Sequence, residues 1–377
     1  MNSLIDEWKY VIRSKYFRLI FLGPLAAALF FGLMFSKSQI SKSPVVVIDE
    51  DHSAYSRQLI SKINASTSMK ITNVYSSRLA PETLLANEKA VAVIMLPKQL
   101  EQRQQQGLST NIGILMDNTM PSGLTSIRTA MQEIITTENM TLSMTSLVKK
   151  GLDTESSKGL VSPLSLQQRM LFNPTTSYVS FMVLGFVNIV ALMITTSAAG
   201  AIAPRLRKEG KLFSNRKSPL HLLIRSVPYA AMTSLSLLLC YGLLKQVWGM
   251  RFEAAPFLFI IPLLIYALAL SLMGLLIGYS AKDLSRVSLR TSFVLYPSFL
   301  ATGIQLTPLA FPEPFQISAW ALPMTWLNRL IRGMAFRNGE LSAYSLEIGA
   351  LLVIIGVVSL LIGLLLLRES KKVKIAH

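Results

Sequence analysis

The dominant pattern along the chain is a series of long stretches that contain no Asp, Glu, Lys or Arg. A helix needs about 20 mostly apolar residues to cross the hydrocarbon core of a bilayer. Six stretches suit that role: Leu19–Ser36, Met170–Pro204, Ser226–Leu244, Ala254–Ala281, Thr291–Pro312 and Ile348–Leu367. A shorter stretch, Pro314–Asn328, is interrupted by Pro323 and is typical of a re-entrant or interfacial segment. The pattern predicts six transmembrane helices, one near the N-terminus and five in the C-terminal half.

The segment between the first two predicted spans, residues 37–172, has a different pattern. Short β-branched or alternating runs predict strands, and apolar residues at helical spacing predict helices. The predicted strands are Pro44–Asp49, Met69–Tyr75, Val91–Leu96 and Ile112–Met116, and the predicted helices are Tyr55–Ile63, Pro81–Ala90 and Ser122–Lys150. Alternating strands and helices indicate a compact α/β domain. The predicted fold is a polytopic α-helical membrane protein with six transmembrane helices and an α/β extracytoplasmic domain inserted between helices 1 and 2.

Composition agrees with a membrane protein, and the distribution of charge predicts its topology. Hydrophobic residues make up 51% of the chain and charged residues 15%, whereas a soluble domain has about 25% charged residues. The net charge of +17 would suit a nucleic-acid binder, but the basic residues collect before span 1, between spans 2 and 3, between spans 4 and 5, and after span 6. Because cytoplasmic loops are enriched in Lys and Arg, we expect both termini in the cytoplasm and no nucleic-acid partner.

Side chains suited to metal binding are sparse. One cysteine, Cys240, and three histidines argue against a disulfide framework and against a Cys- or His-based metal site. Asp49, Glu50 and Asp51 follow a predicted strand, and we interpret them as a turn that caps the next helix, with a metal or ligand site as the alternative. His52 has no Ser or Cys partner at a recognised spacing and is predicted to lie on the surface.

The chain also lacks the sequence features of a self-powered pump. No G-x-x-x-x-G-K-[ST] sequence occurs, so we expect no ATP-binding loop in this chain. The predicted spans hold almost no carboxylates, which ion-driven carriers usually keep inside the membrane, and no residue pair suited to catalysis. We therefore expect no enzymatic activity and no bound cofactor. If the protein pumps, its ATPase is a separate polypeptide.

Several motifs, in order along the chain, resemble the ABC-2 family of exporter permeases, which have the type V exporter architecture. They are Glu7-Trp8-Lys9-Tyr10 with Arg13, Pro44–Leu59, Phe172-Asn173-Pro174-Thr175, Lys208-Glu209-Gly210 with Leu212, Ser218-Pro219-Leu220, and Ala301–Gly339. The layout is similar too: one span, a large extracytoplasmic insertion, then five spans. Leu184 stands where many members have Pro, and Lys211 stands where many have Thr. The second departure would suit the less regular half of a paired permease.

The resemblance implies a half-transporter in the bacterial inner membrane. Its partners would be a cytoplasmic ABC ATPase, which holds ATP and Mg, a second identical or homologous permease, membrane lipid and, in some assemblies, a periplasmic adaptor. The implied layout is an elbow helix at 1–18, transmembrane helix 1 at 19–36, the extracytoplasmic domain at 37–172, transmembrane helices 2–6 within 173–367, and a cytoplasmic tail at 368–377. The implied activity is export of a hydrophobic or amphipathic substrate: a drug, lipid, glycoconjugate or peptide.

The same resemblance implies where the ATPase would be contacted. A coupling segment at 203–218 would use Arg207, Glu209, Gly210 and Lys211, and Lys282 with Asp283 would form a second contact. Polar residues in span 2 (Asn188, Thr195, Thr196 and Ser197) would either meet cargo or, as is more common, pack helices.

The segment at 305–340, between spans 5 and 6, is divided by prolines, so one continuous helix is excluded. Trp320 and Trp326 suit the outer membrane interface, and Arg329 and Arg332 would share one face of a helix that follows Pro323. We expect short external helices that form a lid over an exit path. A surface hairpin that only packs the bundle is the alternative.

Two other functions stay open at this stage. An ion-coupled secondary transporter is weakened by the missing membrane carboxylates. A membrane receptor with an external ligand-binding domain would need only one or two spans, and no cytoplasmic signalling domain is evident.

Overall fold

The computed structural model describes residues 2–36, 42–76, 80–86, 90–117, 121–154, 161, 177–212, 219–281, 283–303 and 310–375. The chain divides into two compact units. The inserted unit is Gln39–Arg169, and the helical unit combines Met1–Ser38 with Met170–His377.

The elements are numbered here in chain order. The helices are α1 (Asn2–Arg13), α2 (Lys15–Met34), α3 (Ala54–Ala65), α4 (Pro81–Ala86), α5 (Leu100–Gln105), α6 (Pro121–Lys149), α7 (Val179–Lys208), α8 (Leu220–Trp248), α9 (Pro256–Ser280), α10 (Leu284–Ala301), α11 (Glu313–Ala319), α12 (Pro323–Leu330) and α13 (Ser345–Ile375). The strands are β1 (Ser43–Asp49), β2 (Met69–Tyr75), β3 (Ala92–Leu96) and β4 (Gly113–Met116).

The inserted unit is built on a four-stranded sheet with the order β2-β1-β3-β4. Strand β1 pairs in parallel with β2 and β3, and β4 pairs antiparallel with β3. Parallel neighbours need crossover connections, and α3 and α4 lie in the two connections that link β1 to β2 and β2 to β3. The β-branched sequence of β1 forms a strand that is buried on both faces.

Alternate residues of β1 face two different apolar layers. Val45 and Val47 pack with residues of α3 and with the first half of α6, including Leu59 and Ile127. Val46 and Ile48 pack with a smaller group that includes Leu84 of α4. The seven elements predicted for this unit are all present, with small shifts at their ends. Helix α5 was not predicted, because its sequence LEQRQQ is too polar to show an apolar stripe.

The acidic turn after β1 acts as a cap. Asp49 Oδ1 accepts hydrogen bonds from the backbone N–H groups of Asp51 and His52, at 3.1 Å each. Asp51 accepts from the N–H groups of Leu100 and Glu101 at the start of α5. Partial burial pushes the pKa of Asp51 upward, but hydrogen bonds from Ser53 and these N–H groups outweigh it and leave the pKa below its usual value. His52 is exposed, as predicted.

A metal site was the alternative interpretation of the acidic turn, but the described part of the chain gives it no support. There, no group of three or more His, Cys, Asp or Glu side chains is placed to bind a metal ion. The capping interpretation of the acidic turn therefore agrees with the structure, with one change: Asp51 caps α5, while Ser53 caps α3.

In the helical unit, five helices are long and apolar enough to cross a membrane. They are α2, α7, α8, α9 and the helix within Leu341–Arg368, which contains most of α13. Among the described residues the structure thus gives five candidate spans where the sequence predicted six.

The sixth predicted span, Thr291–Pro312, differs from the helix found there. Helix α10 begins earlier, at Leu284, and ends at Ala301 after 18 residues. Its first turns include Arg286 and Arg290, so this part of the helix does not stand out as a charge-free run in the sequence. Gly303 follows with a φ of 83°, a left-handed conformation that favours the end of a helix.

Helices α7 and α9 approach so closely that their backbones touch. A Cβ atom at Gly274 would lie on the backbone of Thr196, and one at Gly278 would lie on the carbonyl of Gly200. Small residues four apart on both helices allow this contact, which is typical of helix packing in membranes.

Candidate functional site

The short helix α1 is attached to the bundle by a single stripe of buried side chains. Ser3, Glu7 and Val11 recur every four residues and are buried, whereas Ile5 and Ile12 are exposed. Ser14 separates α1 from α2 and caps α2 by accepting a hydrogen bond from the Tyr16 N–H. The stripe is unusual because its central member is a carboxylate.

Glu7 is fully buried and receives hydrogen bonds from three side chains. Arg205 Nη2 lies 2.6 Å from Oε2, Arg225 Nη1 lies 2.9 Å from the same oxygen, and the Tyr229 hydroxyl lies 2.9 Å from Oε1. A buried carboxylate is tolerated only when paired in this way. Arg205 also stacks on the ring of Tyr10, 3.5 Å from its centroid. These five residues are called the Glu7 cluster.

The Glu7 cluster joins three elements at one end of the bundle. Glu7 and Tyr10 belong to α1, Arg205 lies in the last turn of α7, and Arg225 and Tyr229 lie near the start of α8. Glu7 is the only buried carboxylate in the described part of the helical unit.

Arg207 ties the same end of α7 to α9. Its guanidinium donates to the carbonyl oxygens of Tyr279, at 2.8 Å, and Ala281, at 2.9 Å. It also lies 4.8 Å from the centroid of the Tyr279 ring. A cation on the terminal carbonyls of a helix is electrostatically favourable. The sequence suggested Arg207 as an ATPase contact, but its guanidinium is directed into the bundle.

The residues after Arg207 form an exposed turn. The Lys211 N–H donates to the Leu206 carbonyl, and Gly210 adopts a φ of 69°, the arrangement of a Schellman cap. Glu209 Oε2 lies 2.9 Å from Lys211 Nζ, and Glu209 Oε1 lies 3.9 Å from Arg205 Nε. The hydrogen bond from Lys211 lowers the pKa of Glu209 below its usual value. We call Glu209–Lys211 the coupling turn; 213–218 lie outside the described residues.

The second predicted contact segment adjoins the first. Asp283 is exposed at the start of α10, 4.0 Å from Arg286, while Lys282 lies outside the described residues. The bond from Arg207 to Ala281 brings the two segments together, which sequence spacing alone did not predict.

At the other end of the bundle, residues 310–344 form the Trp320 segment. The structure has the expected short helices, α11 and α12, and α12 continues as a π-helical turn over Ile331–Phe336. Pro323 is buried at the first turn of α12, and Trp320 is exposed.

The two arginines of this segment differ in their surroundings. Arg329 is exposed and lies 5.1 Å from the Trp326 ring centroid, while Arg332 is half-buried and donates to the Gly303 carbonyl at 3.3 Å.

Contrary to the sequence expectation, Trp326 does not lie at a wet interface. It is 7% exposed, packs in the core, and donates its Nε1–H to the Trp320 carbonyl at 2.9 Å. Seven of the eight residues of α12 are buried, Trp326 among them, so the helix lies inside the bundle.

Most polar residues of α7 bond within the bundle. The Tyr241 hydroxyl donates to Asn188 Oδ1 at 2.6 Å, and the hydroxyls of Thr195 and Thr233 lie 2.7 Å apart. Thr196 bonds back to the Leu192 carbonyl. These contacts favour a helix-packing role over cargo contact for all three residues.

The Glu7 cluster was missed from the sequence. The motif containing Glu7 was noticed only for its resemblance to an elbow helix. The four-residue spacing of Ser3, Glu7 and Val11 was the available signal, because it places Glu7 on the same face as a buried valine.

Comparison with known protein families gives a match for most of this chain. Residues 15–365 match the family model for the ABC-2 family transporter protein. A comparison with curated proteins finds no match. Because the family match covers most of the chain, the protein belongs to the ABC-2 transporter family. It is a multi-pass helical membrane protein and a transmembrane transport subunit, in a family that generally works with an ATPase subunit and is generally not itself catalytic.

Proposed function

We propose that this ABC-2 family member is the permease subunit of an ATP-driven exporter in the bacterial inner membrane, with both termini in the cytoplasm. It pairs with a second permease and with separate ATPase subunits. The observation that carries this proposal is the coupling turn: Glu209, Gly210 and Lys211 are exposed directly beyond a helix end that Arg205 and Arg207 hold in place.

The coupling turn is suited to pass a displacement into the bundle. The Schellman cap fixes the turn to α7, Arg205 ties α7 to Glu7, and Arg207 ties α7 to α9. A soluble subunit that bound Glu209 and Lys211 would therefore act on α1, α7 and α9 together. Asp283 lies two residues after Ala281, whose carbonyl Arg207 binds. We propose that Asp283, and Lys282 by its position in the sequence, belong to the same ATPase-contact surface.

The cargo that best suits these helices is hydrophobic or amphipathic. The five candidate spans are strongly apolar, and the described part of the helical unit buries no carboxylate besides Glu7. An ion-coupled carrier usually keeps a carboxylate inside the membrane, whereas Glu7 lies in α1, outside the candidate spans, and is paired with Arg205 and Arg225.

Transport by a reconstituted complex tests the proposal. The permease is purified with a candidate ABC ATPase from the same genome and placed in inside-out vesicles, with a fluorescent cationic dye and a fluorescent phospholipid as probes. We expect accumulation that needs Mg-ATP and is lost when the ATPase lacks its Walker A lysine. Accumulation driven by an ion gradient without ATP would overturn the proposal in favour of a secondary carrier.

Reporter fusions test the orientation. Fusions after Lys374 and within 203–218 are expected to report the cytoplasm, and a fusion within 99–109 the external side, because the Lys and Arg residues are distributed unevenly across the spans. A cytoplasmic signal from the 99–109 site would contradict the proposed topology.

We further propose that the Trp320 segment is an external lid, with Trp320, Pro323, Arg329 and Arg332 in it. Its helices are short, Arg329 is exposed, and Arg332 donates to the Gly303 carbonyl just beyond the end of α10. Cysteine scanning of 320–332 in a Cys240→Ser background, with a membrane-impermeant thiol reagent, tests it. We expect labelling that changes when the ATPase is trapped with ATP; uniform, unchanged labelling would leave only a surface hairpin.

A further inference from the structure

Arg205 stands between two acidic residues at the Glu7 end. Its Nη2 lies 2.6 Å from Glu7 Oε2, and its Nε lies 3.9 Å from Glu209 Oε1. Glu7 is fully buried, whereas the Glu209 side chain is 38% exposed. The contact with Glu7 is the stronger of the two, because it is shorter and because charges interact more strongly away from water. Arg205 is therefore held toward α1, and the coupling turn is attached to a fixed helix end.

The charge count explains what Glu7 contributes. Two guanidinium groups, Arg205 and Arg225, share one carboxylate, and Tyr229 occupies the other carboxylate oxygen. Without that carboxylate the two guanidinium groups repel each other. Among the described residues, the other ion pair of Arg205 is with Glu209, on the coupling turn itself. Arg205 would then turn from α1 toward Glu209, and the connection between α1 and the coupling turn would be lost.

We infer that Glu7 is a positioning residue that joins α1 and the coupling turn into one body, so that displacement of the turn by the ATPase also moves α1. The inference rests on the proposed function only for the identity of the displacing partner. The connection itself belongs to the permease alone. Tyr10 strengthens this connection, since the Arg205 guanidinium carbon lies over that ring, 3.5 Å from its centroid.

The distance between α1 and the end of α7 tests the connection directly. Spin labels at Lys9→Cys and Lys208→Cys, both exposed positions, are introduced into the full chain in a Cys240→Ser background. Pulsed electron resonance is expected to give one narrow distance distribution, and Glu7→Gln is expected to abolish it in favour of a broad one. Asp6→Asn is the matched control, because Asp6 is the neighbouring acid on the exposed side of α1. An unchanged narrow distribution in Glu7→Gln would overturn the inference.

A milder variant covers the case in which Glu7→Gln does not fold. Tyr229→Phe removes one donor to Glu7 without changing charge or size. It is expected to broaden the same distribution to a smaller degree. If Glu7→Gln cannot be purified, an unchanged distribution in Tyr229→Phe overturns the inference.

The role in coupling is measured on the complex with the ATPase. We expect Glu7→Gln to bind the ATPase in the same stoichiometry as the unmodified permease but to lose stimulation of ATP hydrolysis, with Asp6→Asn unaffected. Full stimulation in Glu7→Gln would overturn the coupling role. If the unmodified permease neither binds nor stimulates an ATPase, the proposed function fails, whereas the distance measurement still decides whether Glu7 joins α1 to the coupling turn.

Discussion

The two ends of the helical unit are held together by different kinds of interaction. At the Glu7 end, a buried carboxylate and two arginines connect α1, α7 and α8, and a third arginine binds the terminal carbonyls of α9. In the Trp320 segment, the described contacts include rings packed against glycines and side-chain hydrogen bonds to backbone carbonyls, such as that from Arg332 to Gly303. The Tyr344 ring lies against Gly333 and Gly339, and the Glu253 N–H donates to the Ala335 carbonyl at 2.7 Å.

This difference suggests how each end responds to force. Ion pairs buried among helix ends depend strongly on geometry, and removing one partner leaves an uncompensated charge. The Glu7 end is therefore expected to move as a unit or not at all. Apolar contacts are less directional, so the Trp320 segment can shift with smaller losses. A transporter in which an ATPase displaces one end and the substrate path opens at the other would need one rigid end and one deformable end.

The largest effect is expected from removing the central carboxylate. Glu7→Ala should lower the free energy of unfolding by about 3–5 kcal/mol, because two guanidinium groups lose their shared partner. Unfolding in mixed detergent micelles measures this change. Asp6→Ala, on the exposed side of α1, is the control and should stay within about 0.5 kcal/mol. Equal losses of unfolding free energy in Glu7→Ala and Asp6→Ala would show that ion pairs do not stabilise the Glu7 end.

Close backbone packing supports the same end and gives the next largest effect. Gly278→Ala would place a methyl group on the Gly200 carbonyl and separate α9 from α7, where Arg207 reaches the next residue. We expect a loss of about 3 kcal/mol, the upper range for overpacking. Gly242→Ala in α8 is the control, because a Cβ there meets nothing within 4 Å. A thermal shift as small as that of the control would contradict backbone contact between these helices.

A glycine-to-alanine substitution in the Trp320 segment should lower the free energy of unfolding by less than Gly278→Ala. In Gly333→Ala the new methyl group meets the Tyr344 ring, a side chain that can turn aside, so we expect a loss of about 1–2 kcal/mol. The loss should shrink in a Tyr344→Ala background, because the two positions are in contact. Gly349→Ala in α13, where a Cβ meets nothing, is the control. A loss as large as that of Gly278→Ala would erase the contrast between the two ends.

How much the sequence predicted also differs between regions. The strands of the inserted unit are short apolar runs and were placed to within one residue at each end. The long charge-free runs located five of the candidate spans, but helix ends that carry charged residues were missed, so α8 begins six residues before the predicted span and ends four after it. Helix α10 was misplaced because Arg286 and Arg290 lie in its first turns. Trp326 was misassigned because an indole suits either an interface or a core, and only tertiary packing decides between them.

The ion pairs were beyond prediction for a further reason. Glu7 lies 198 residues from Arg205 and 218 from Arg225 along the chain, so no local pattern connects them. The contact of Arg207 with the end of α9, 72 residues away along the chain, has no local sequence signal either.

The smallest effect on stability, but a large one on activity, is expected from reversing the charge of the coupling turn. Glu209→Lys should change the free energy of unfolding by less than about 0.5 kcal/mol, because the side chain is exposed and bound to Lys211 only at the surface. The lowered pKa of Glu209 means that its carboxylate is ionised near neutral pH, so the substitution reverses a real charge at the proposed ATPase contact.

ATP hydrolysis by the reconstituted complex measures that activity, and Glu209→Lys is expected to lose both its stimulation and probe transport. Glu313→Lys, at another exposed acidic position, in the Trp320 segment, is the matched control and should keep both. The same reversal of charge is thus applied to the two ends of one helical unit, and only the Glu7 end should respond. Full stimulation and transport in Glu209→Lys would show that the ATPase does not use this turn. Loss of ATPase stimulation and probe transport in Glu313→Lys would show instead that both ends of the helical unit are sensitive to charge reversal.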